Sequence, residues 1–157
     1  MTYQLAQINV ARFLLPAAHE ANRDFTDNLA RVNALAEQQP GFVWRLVGEA
    51  PDADVFGDPN LAINLSVWAD MESLAEFVYR NPAHRDIMRR RREWFDKLQF
   101  SMALWWVPAD HRPTVTEGKA AIDRIAQSGS TAEAFLFNRP FPSPDGVTSA
   151  AIVAGCP

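Results

Sequence analysis

Alternating apolar and polar positions predict the strands of this chain. In the segment Leu5 to Phe13, Ile8 and Val10 fall on one face. Gln7 and Asn9 fall on the opposite face, which is the pattern of a half-buried strand. The same pattern, bounded by turn residues, predicts three further strands and a short fifth one, at residues 41–49, 61–68, 99–107 and 134–137.

Apolar residues spaced three or four apart predict the helices that connect these strands. The first helix carries its apolar face on Phe25, Leu29 and Val32 and ends before Pro40-Gly41. Each of the other three begins at a side chain that can accept a hydrogen bond from the first-turn N–H groups. These N-cap residues are Asp70, Asn81 (followed by Pro82) and Thr114.

The order of these elements predicts an α+β fold of the ferredoxin-like type, with an antiparallel sheet, helices on one face and one helix added. The other face of such a sheet has to be covered by something else. This face must partly carry Trp68, either Trp44 or Arg45, and either Trp105 or Trp106. An apolar face without a cover indicates a partner surface. We therefore expect a homodimer through the sheet face, a dimeric α/β barrel.

Length and composition predict one domain and exclude several classes of function. The 157 residues form a domain over 1–142, followed by an irregular, proline-marked tail at 143–157. A formal net charge of −4 argues against nucleic-acid binding. The single cysteine, Cys156, cannot form an intramolecular disulfide, and no signal peptide or membrane span is visible, so a cytoplasmic location is expected. Neither cysteine nor histidine has zinc-site spacing, so no metal is expected.

His84 and Arg91 are polar residues on a helix face that is otherwise apolar. With a rotation of about 100° per residue, both lie in the middle of the apolar stripe along the helix that begins after Asn81. A histidine in the first turn of a helix is favoured as the neutral imidazole, the form that acts as a general base or metal ligand. Two interpretations stay open for each residue. His84 is a core histidine bonded to a backbone carbonyl or a functional one, and Arg91 extends to solvent or stabilises negative charge.

Amide side chains in the middle of two predicted strands indicate a polar patch. Asn9 and Asn64 occupy positions where asparagine is uncommon, and a buried amide has to be paired. Together with Gln7 and Ser66 they could line part of an aromatic pocket, since small-molecule sites combine apolar walls with a few polar groups. The alternative is that this face is partly exposed to water.

Five segments of the chain, covering roughly residues 5–142, resemble a bacterial family of unknown function. They are LAQINVAR, PGFVWRL, NLSVW, HRDIMRRRREWF and LWWVPADHRPTVTEG. That family is placed among the dimeric α/β barrels that include antibiotic-biosynthesis and haem-degrading monooxygenases. The resemblance implies a cavity between sheet and helices.

The two kinds of monooxygenase imply different chemistry for this cavity. Haem-degrading members use an asparagine on the first strand, which Asn9 matches, a tryptophan where this chain has Phe77, and an iron-binding histidine that comes later than His84. Antibiotic-biosynthesis members oxygenate polycyclic phenols without a cofactor, which requires only a shaped aromatic pocket and a few hydrogen-bonding groups.

The sequence thus favours a monooxygenase-like or related tailoring enzyme, without a cofactor, for a small and largely apolar aromatic or polycyclic substrate. His84 is the expected acid–base residue and Arg91 stabilises negative charge. The expected substrate-binding residues are Asn9, Asn64, Trp68, Phe77 and Trp106. The expected partners are a second copy of the chain and the small ligand, with no nucleic acid and no membrane. The alternatives are a haem-binding or haem-degrading protein with His84 on the iron, and a non-catalytic ligand-binding dimer.

Overall fold

A computed structural model describes residues 2–145 of the chain, and at residues 97–100 it describes the backbone alone. Most of the tail expected at 143–157, including Cys156, lies outside the described residues. None of the described helices combines the length and the apolar character needed to cross a membrane.

The described part of the chain contains four main strands and four main helices. In chain order they are β1 (Tyr3–Phe13), α1 (Arg23–Gln38), β2 (Phe42–Arg45), β3 (Leu61–Trp68), α2 (Met71–Arg80), α3 (Pro82–Arg90), β4 (Phe95–Pro108) and α4 (Val115–Ser128). The fifth strand expected at 134–137 is reduced to two isolated bridges: Ala134 pairs with Thr131, and Phe135 and Leu104 exchange backbone hydrogen bonds of 2.9 Å. The α+β ferredoxin-like fold is confirmed.

The three predicted helix caps are present. Asp70 accepts a hydrogen bond from the Ser73 backbone N–H, and Thr114 accepts one from Glu117. The Asn81 side chain accepts from the N–H groups of both Ala83 and His84. This cap ends α2 and starts α3 within one residue, because Pro82 cannot continue the α2 hydrogen-bond pattern but is favoured in a first turn.

The sheet has the order β2-β3-β1-β4, and all its neighbours are antiparallel. In this register Gln7 lies opposite Ser66, and Asn9 lies opposite Asn64 on β3 and Met102 on β4. Residues that lie directly opposite in neighbouring strands project from the same face. The polar residues of β1 and β3 therefore form one patch near the centre of the sheet.

Helices cover both faces of the sheet, which corrects the expectation that they lie on one face. The face of Leu5 and Trp68 packs into one core with α1, α2 and α3. The opposite face, which includes Ile8, packs with α4 into a second core. The chain thus supplies much of the cover that was expected from a partner.

The tryptophans are divided between the two faces. Trp68 and Trp106 belong to the core on the α1–α3 side, whereas Trp44 and Trp105 lie on the α4 side. A bulge between Phe42 and Trp44 explains part of this division, because an extra residue in one strand shifts the later side chains to the other face. Phe42 and Trp44, which strict alternation would put on one face, therefore lie on opposite faces.

Gly118 allows α4 to pack closely on β1. A Cβ atom at this position would lie 2.4 Å from Cδ1 of Ile8, which is completely buried. Atoms this close overlap, so the contact between helix and sheet requires glycine here.

We predict that Gly118→Ala destabilises the protein by up to about 2 kcal/mol, because overpacking costs about 1–3 kcal/mol and the gain in helix propensity offsets roughly 1 kcal/mol of it. The free energy of unfolding in urea measures the effect. Ile8→Val removes the atom nearest to the new methyl group, so Gly118→Ala should cost less in that background. An equal cost in both backgrounds would contradict the proposed packing.

Candidate functional site

A cavity of about 500 Å³ lies between the sheet and helices α1, α2 and α3. Its floor is the polar patch of β1 and β3, and its walls are mainly apolar side chains of the helices. Residues lining it include Gln7, Asn9, Asn64, Ser66, Trp68, Phe25, Val32, Phe77, His84 and Ile87. A volume of this size holds a small organic molecule, and apolar walls with a few polar groups are typical of such sites.

Hydrogen bonds connect the polar side chains of the cavity floor into a network centred on Gln7. Nε2 of Gln7 donates to Oδ1 of Asn64 at 2.5 Å and to Oγ of Ser66 at 2.7 Å. Oε1 of Gln7 accepts from Nδ2 of Asn9 at 3.1 Å. Ser66 also accepts from the indole N–H of Trp68 at 2.9 Å. Gln7 and Ser66 are thus paired within an apolar core, where an unpaired amide or hydroxyl would be costly.

Two groups of this network remain available to a ligand. Within the described part of the chain, Oδ1 of Asn9 accepts no hydrogen bond from the protein. Nδ2 of Asn64 likewise donates none to the protein. Both asparagines are half-buried and line the cavity. The floor therefore presents an acceptor beside a donor.

His84 lines the cavity from the first turn of α3, and its ring packs against Phe77 with centroids 5.3 Å apart. Burial lowers the pKa of His84, while the contact with the Val78 carbonyl acts in the opposite direction. The neutral ring donates from Nδ1 to that carbonyl at 3.0 Å. Nε2 is then a free acceptor as far as the described residues go. The carbonyl bond expected of a core histidine is present, and His84 also lines the cavity, as a functional histidine would have to.

Arg91 lines the same cavity but lies at its opening. Helix α3 ends at Arg90, and Arg91 begins a short 3-10 segment, so the expected position in the middle of a continuous helical stripe is wrong. The side chain is exposed, and its Nη1 is 3.5 Å from the Met88 carbonyl, which is at best a weak hydrogen bond.

Two other residues differ from the expected site. Trp106, expected as a wall residue, is not among the residues that line the cavity. Its indole N–H donates to the Phe141 carbonyl at 3.0 Å, and its ring packs near Phe135. Arg45, by contrast, lines the cavity and pairs with Glu37 at 2.6 Å. The bulge in β2 turns Arg45 to the cavity side of the sheet. Strict alternation of side chains along the strand would not predict this position.

Within residues 2–145, no group of three or more His, Cys, Asp or Glu side chains is arranged to hold a metal ion. The polar groups that line the cavity are the His84 imidazole and the amide network, together with the side chains of Asn33, Arg45, Tyr79, Arg91, Arg92 and Asp96.

The chain belongs to the family described as Domain of unknown function (DUF3291), whose model matches residues 4–151. No curated protein matches the chain. Similar solved structures share the fold at low identity. A Nitrosomonas europaea protein described as a candidate antibiotic biosynthesis monooxygenase has a TM-score of 0.54 at 9% identity, covering 71% of this chain and 97% of its own.

Two further solved structures show the same fold. Protein PA3566 of Pseudomonas aeruginosa has a TM-score of 0.52 at 13% identity and covers 69% of this chain and 98% of its own. Protein Rv0793 of Mycobacterium tuberculosis has a TM-score of 0.51 at 13% identity and covers 70% of this chain and 99% of its own. The matched region spans nearly the whole of each neighbour but only about 70% of this chain. This chain therefore contains segments beyond the shared fold.

We predict that His84 makes the folded state less stable as the pH falls below about 6.5, the ordinary pKa of histidine. Because burial lowers the pKa of His84 in the folded state, the unfolded chain binds the proton first, and protonation favours unfolding. Unfolding in urea at about pH 7.5 and about pH 5.5 measures this effect. His84→Gln cannot titrate, so its stability should fall less over this interval. Equal losses in both proteins would contradict a buried neutral His84.

Proposed function

We propose that this protein is an enzyme for small, largely apolar aromatic or polycyclic molecules, with monooxygenase-like or related tailoring activity. The observation that carries the proposal is the His84 imidazole in an apolar cavity, with Nδ1 held by a carbonyl and Nε2 free among the described residues. Burial lowers the pKa of His84, which favours the neutral ring. The fold shared with the Nitrosomonas europaea protein is compatible with this activity.

In the proposed reaction, His84 is the general base. Its Nε2 removes a proton from an acidic C–H or O–H group of the substrate, and Asn9 and Asn64 orient the ring by hydrogen bonds. Trp68 and Phe77 form the walls that hold the ring flat, and Arg91 at the opening stabilises negative charge on the substrate.

Dioxygen is the co-substrate, and no external reductant is needed. A methylene group between aromatic rings loses two C–H bonds and gains a C=O bond to one oxygen atom. The second oxygen atom leaves with the two hydrogens as water. The substrate thus supplies all the electrons that dioxygen takes up.

We predict that the purified protein, without added metal or haem, accelerates dioxygen uptake with anthrone as the test substrate. His84→Gln should lower kcat/KM by about 10²–10⁴-fold, the usual contribution of general acid–base catalysis. His111→Gln is the matched control, because His111 pairs with Glu117 on the surface, away from the cavity. An oxygen electrode measures the rates. Anthrone binding without uptake would favour the non-catalytic alternative.

Haem binding is a second candidate that one observation favours. A histidine whose Nδ1–H is held by a carbonyl presents Nε2 in the orientation that metal-binding histidines adopt. His84 would hold the iron, and haem, when bound, would supply activation of dioxygen. Haem titration distinguishes the candidates: a Soret shift that is lost in His84→Ala supports haem, and no shift, or one that survives the substitution, removes it.

We also propose that the chain forms a homodimer through the α4 side of the sheet. This side keeps half-buried apolar residues that α4 does not fully cover, including Trp44 and Ile63.

We predict a dimer in sedimentation velocity at micromolar protein concentration. Trp44→Asp should weaken it, because Trp44 is half-buried on the α4 side and a charge placed in an apolar interface loses its hydration. Leu15→Asp serves as the control, since Leu15 is an exposed apolar residue in the loop that follows β1. A monomeric wild-type protein would contradict the proposal.

A further inference from the structure

The buried amide of Gln7 is bonded at both of its ends to the two asparagines of the cavity floor. Its NH₂ group donates to Asn64, and its carbonyl oxygen accepts from Asn9. Asn9 and Asn64 lie directly opposite each other on β1 and β3, so both project into the cavity.

This connection forces the two asparagines to present opposite hydrogen-bonding groups. Asn9 uses its NH₂ group on Gln7 and keeps Oδ1 for the cavity, whereas Asn64 uses Oδ1 and keeps its NH₂ group. If Gln7 turned over, both asparagines would have to turn with it, and their roles would be exchanged.

Ser66 permits either arrangement of Gln7. A hydroxyl group can accept from the Gln7 NH₂ group, as it does here, or donate to the Gln7 carbonyl. The indole N–H of Trp68 only donates, and it is satisfied by Ser66 in both cases. The cavity floor therefore always offers one donor and one acceptor side by side.

We propose that Asn9 and Asn64 together recognise a planar aromatic ligand that carries a hydrogen-bond donor and an acceptor on neighbouring atoms, as in a ring lactam. Gln7 is the positioning residue that imposes this pattern. Directly opposite residues have Cβ atoms about 4.5–5.5 Å apart, so two amide ends can converge on one N–C=O group. This inference rests on the proposed function, because it names the class of substrate that would bind in the same cavity.

The probe is 2-quinolone, a flat lactam with adjacent N–H and C=O groups, and its N-methyl derivative is the matched control that lacks the donor. Wild-type protein should bind 2-quinolone about tenfold or more tightly than N-methyl-2-quinolone, the effect of leaving one buried polar group unpaired. Equilibrium titration under nitrogen measures both affinities.

Asn64→Asp changes the pattern while preserving the shape of the side chain. A carboxylate accepts from Gln7 as Asn64 does, but it turns a second acceptor toward the cavity in place of the donor. Affinity for 2-quinolone should fall about tenfold, and affinity for protonated 2-aminoquinoline, which has two adjacent donors, should rise. Asn33→Asp is the control, because it adds the same charge to the cavity lining from α1, outside the network. It should change 2-quinolone affinity by less than about twofold.

Gln7→Glu tests the positioning role without altering either asparagine. A carboxylate at position 7 only accepts, so both asparagines would donate to it and turn their oxygens toward the cavity. The same switch from 2-quinolone to protonated 2-aminoquinoline is expected. If Gln7 had only a structural role, the affinities for all three probes would fall together.

Three results would overturn the inference. They are no saturable binding of 2-quinolone to wild type, equal wild-type affinities for 2-quinolone and its N-methyl derivative, and a switch in Asn33→Asp equal to that in Asn64→Asp. Because the titrations exclude dioxygen, they are independent of turnover. Binding as expected without dioxygen uptake would refute the proposed function and leave this inference standing.

Discussion

The register between β1 and β3 is the constraint on which the cavity depends. Side chains alternate strictly along a strand, so a slip by one residue would move Gln7 and Asn9 to the α4 side. They would then lie in an apolar core, and Ile8 would face the cavity. The Gln7 hydrogen bonds to Asn64 and Ser66 form only in the observed register, so the polar network adds to the specificity of strand pairing.

The sequence predicted the parts of the site that follow from local periodicity. Alternation in β1 and β3 placed the amides on one face, and the cap at Asn81 placed His84 in a first turn. It could not predict features that depend on one extra residue or on tertiary packing. The bulge in β2 turned Arg45 into the cavity, and the early end of α3 moved Arg91 to the opening. The position of α4 on the sheet depends on the close contact between Gly118 and β1, and periodicity in the sequence does not reveal such a contact.

The environment of His84 shows how a structural contact can prepare a chemical group. The carbonyl of Val78 takes the Nδ1 proton, which selects one tautomer and holds the ring in one orientation. Burial opposes the charged form, so the ring stays neutral and keeps a lone pair on Nε2. A structural hydrogen bond and the role proposed for His84 are therefore compatible, because the bond to Val78 leaves Nε2 facing no described partner.

Helix α4 packs on the face of the sheet opposite to the cavity. Changes on the α4 side therefore reach the cavity only through the strands between them. Strands β1 and β3 are firmly paired over their length and contain the amide network on one face and the second core on the other. A partner bound on the α4 side would thus contact strands whose positions are fixed by their pairing. The cavity floor would keep its donor and acceptor pattern whether or not the chain associates.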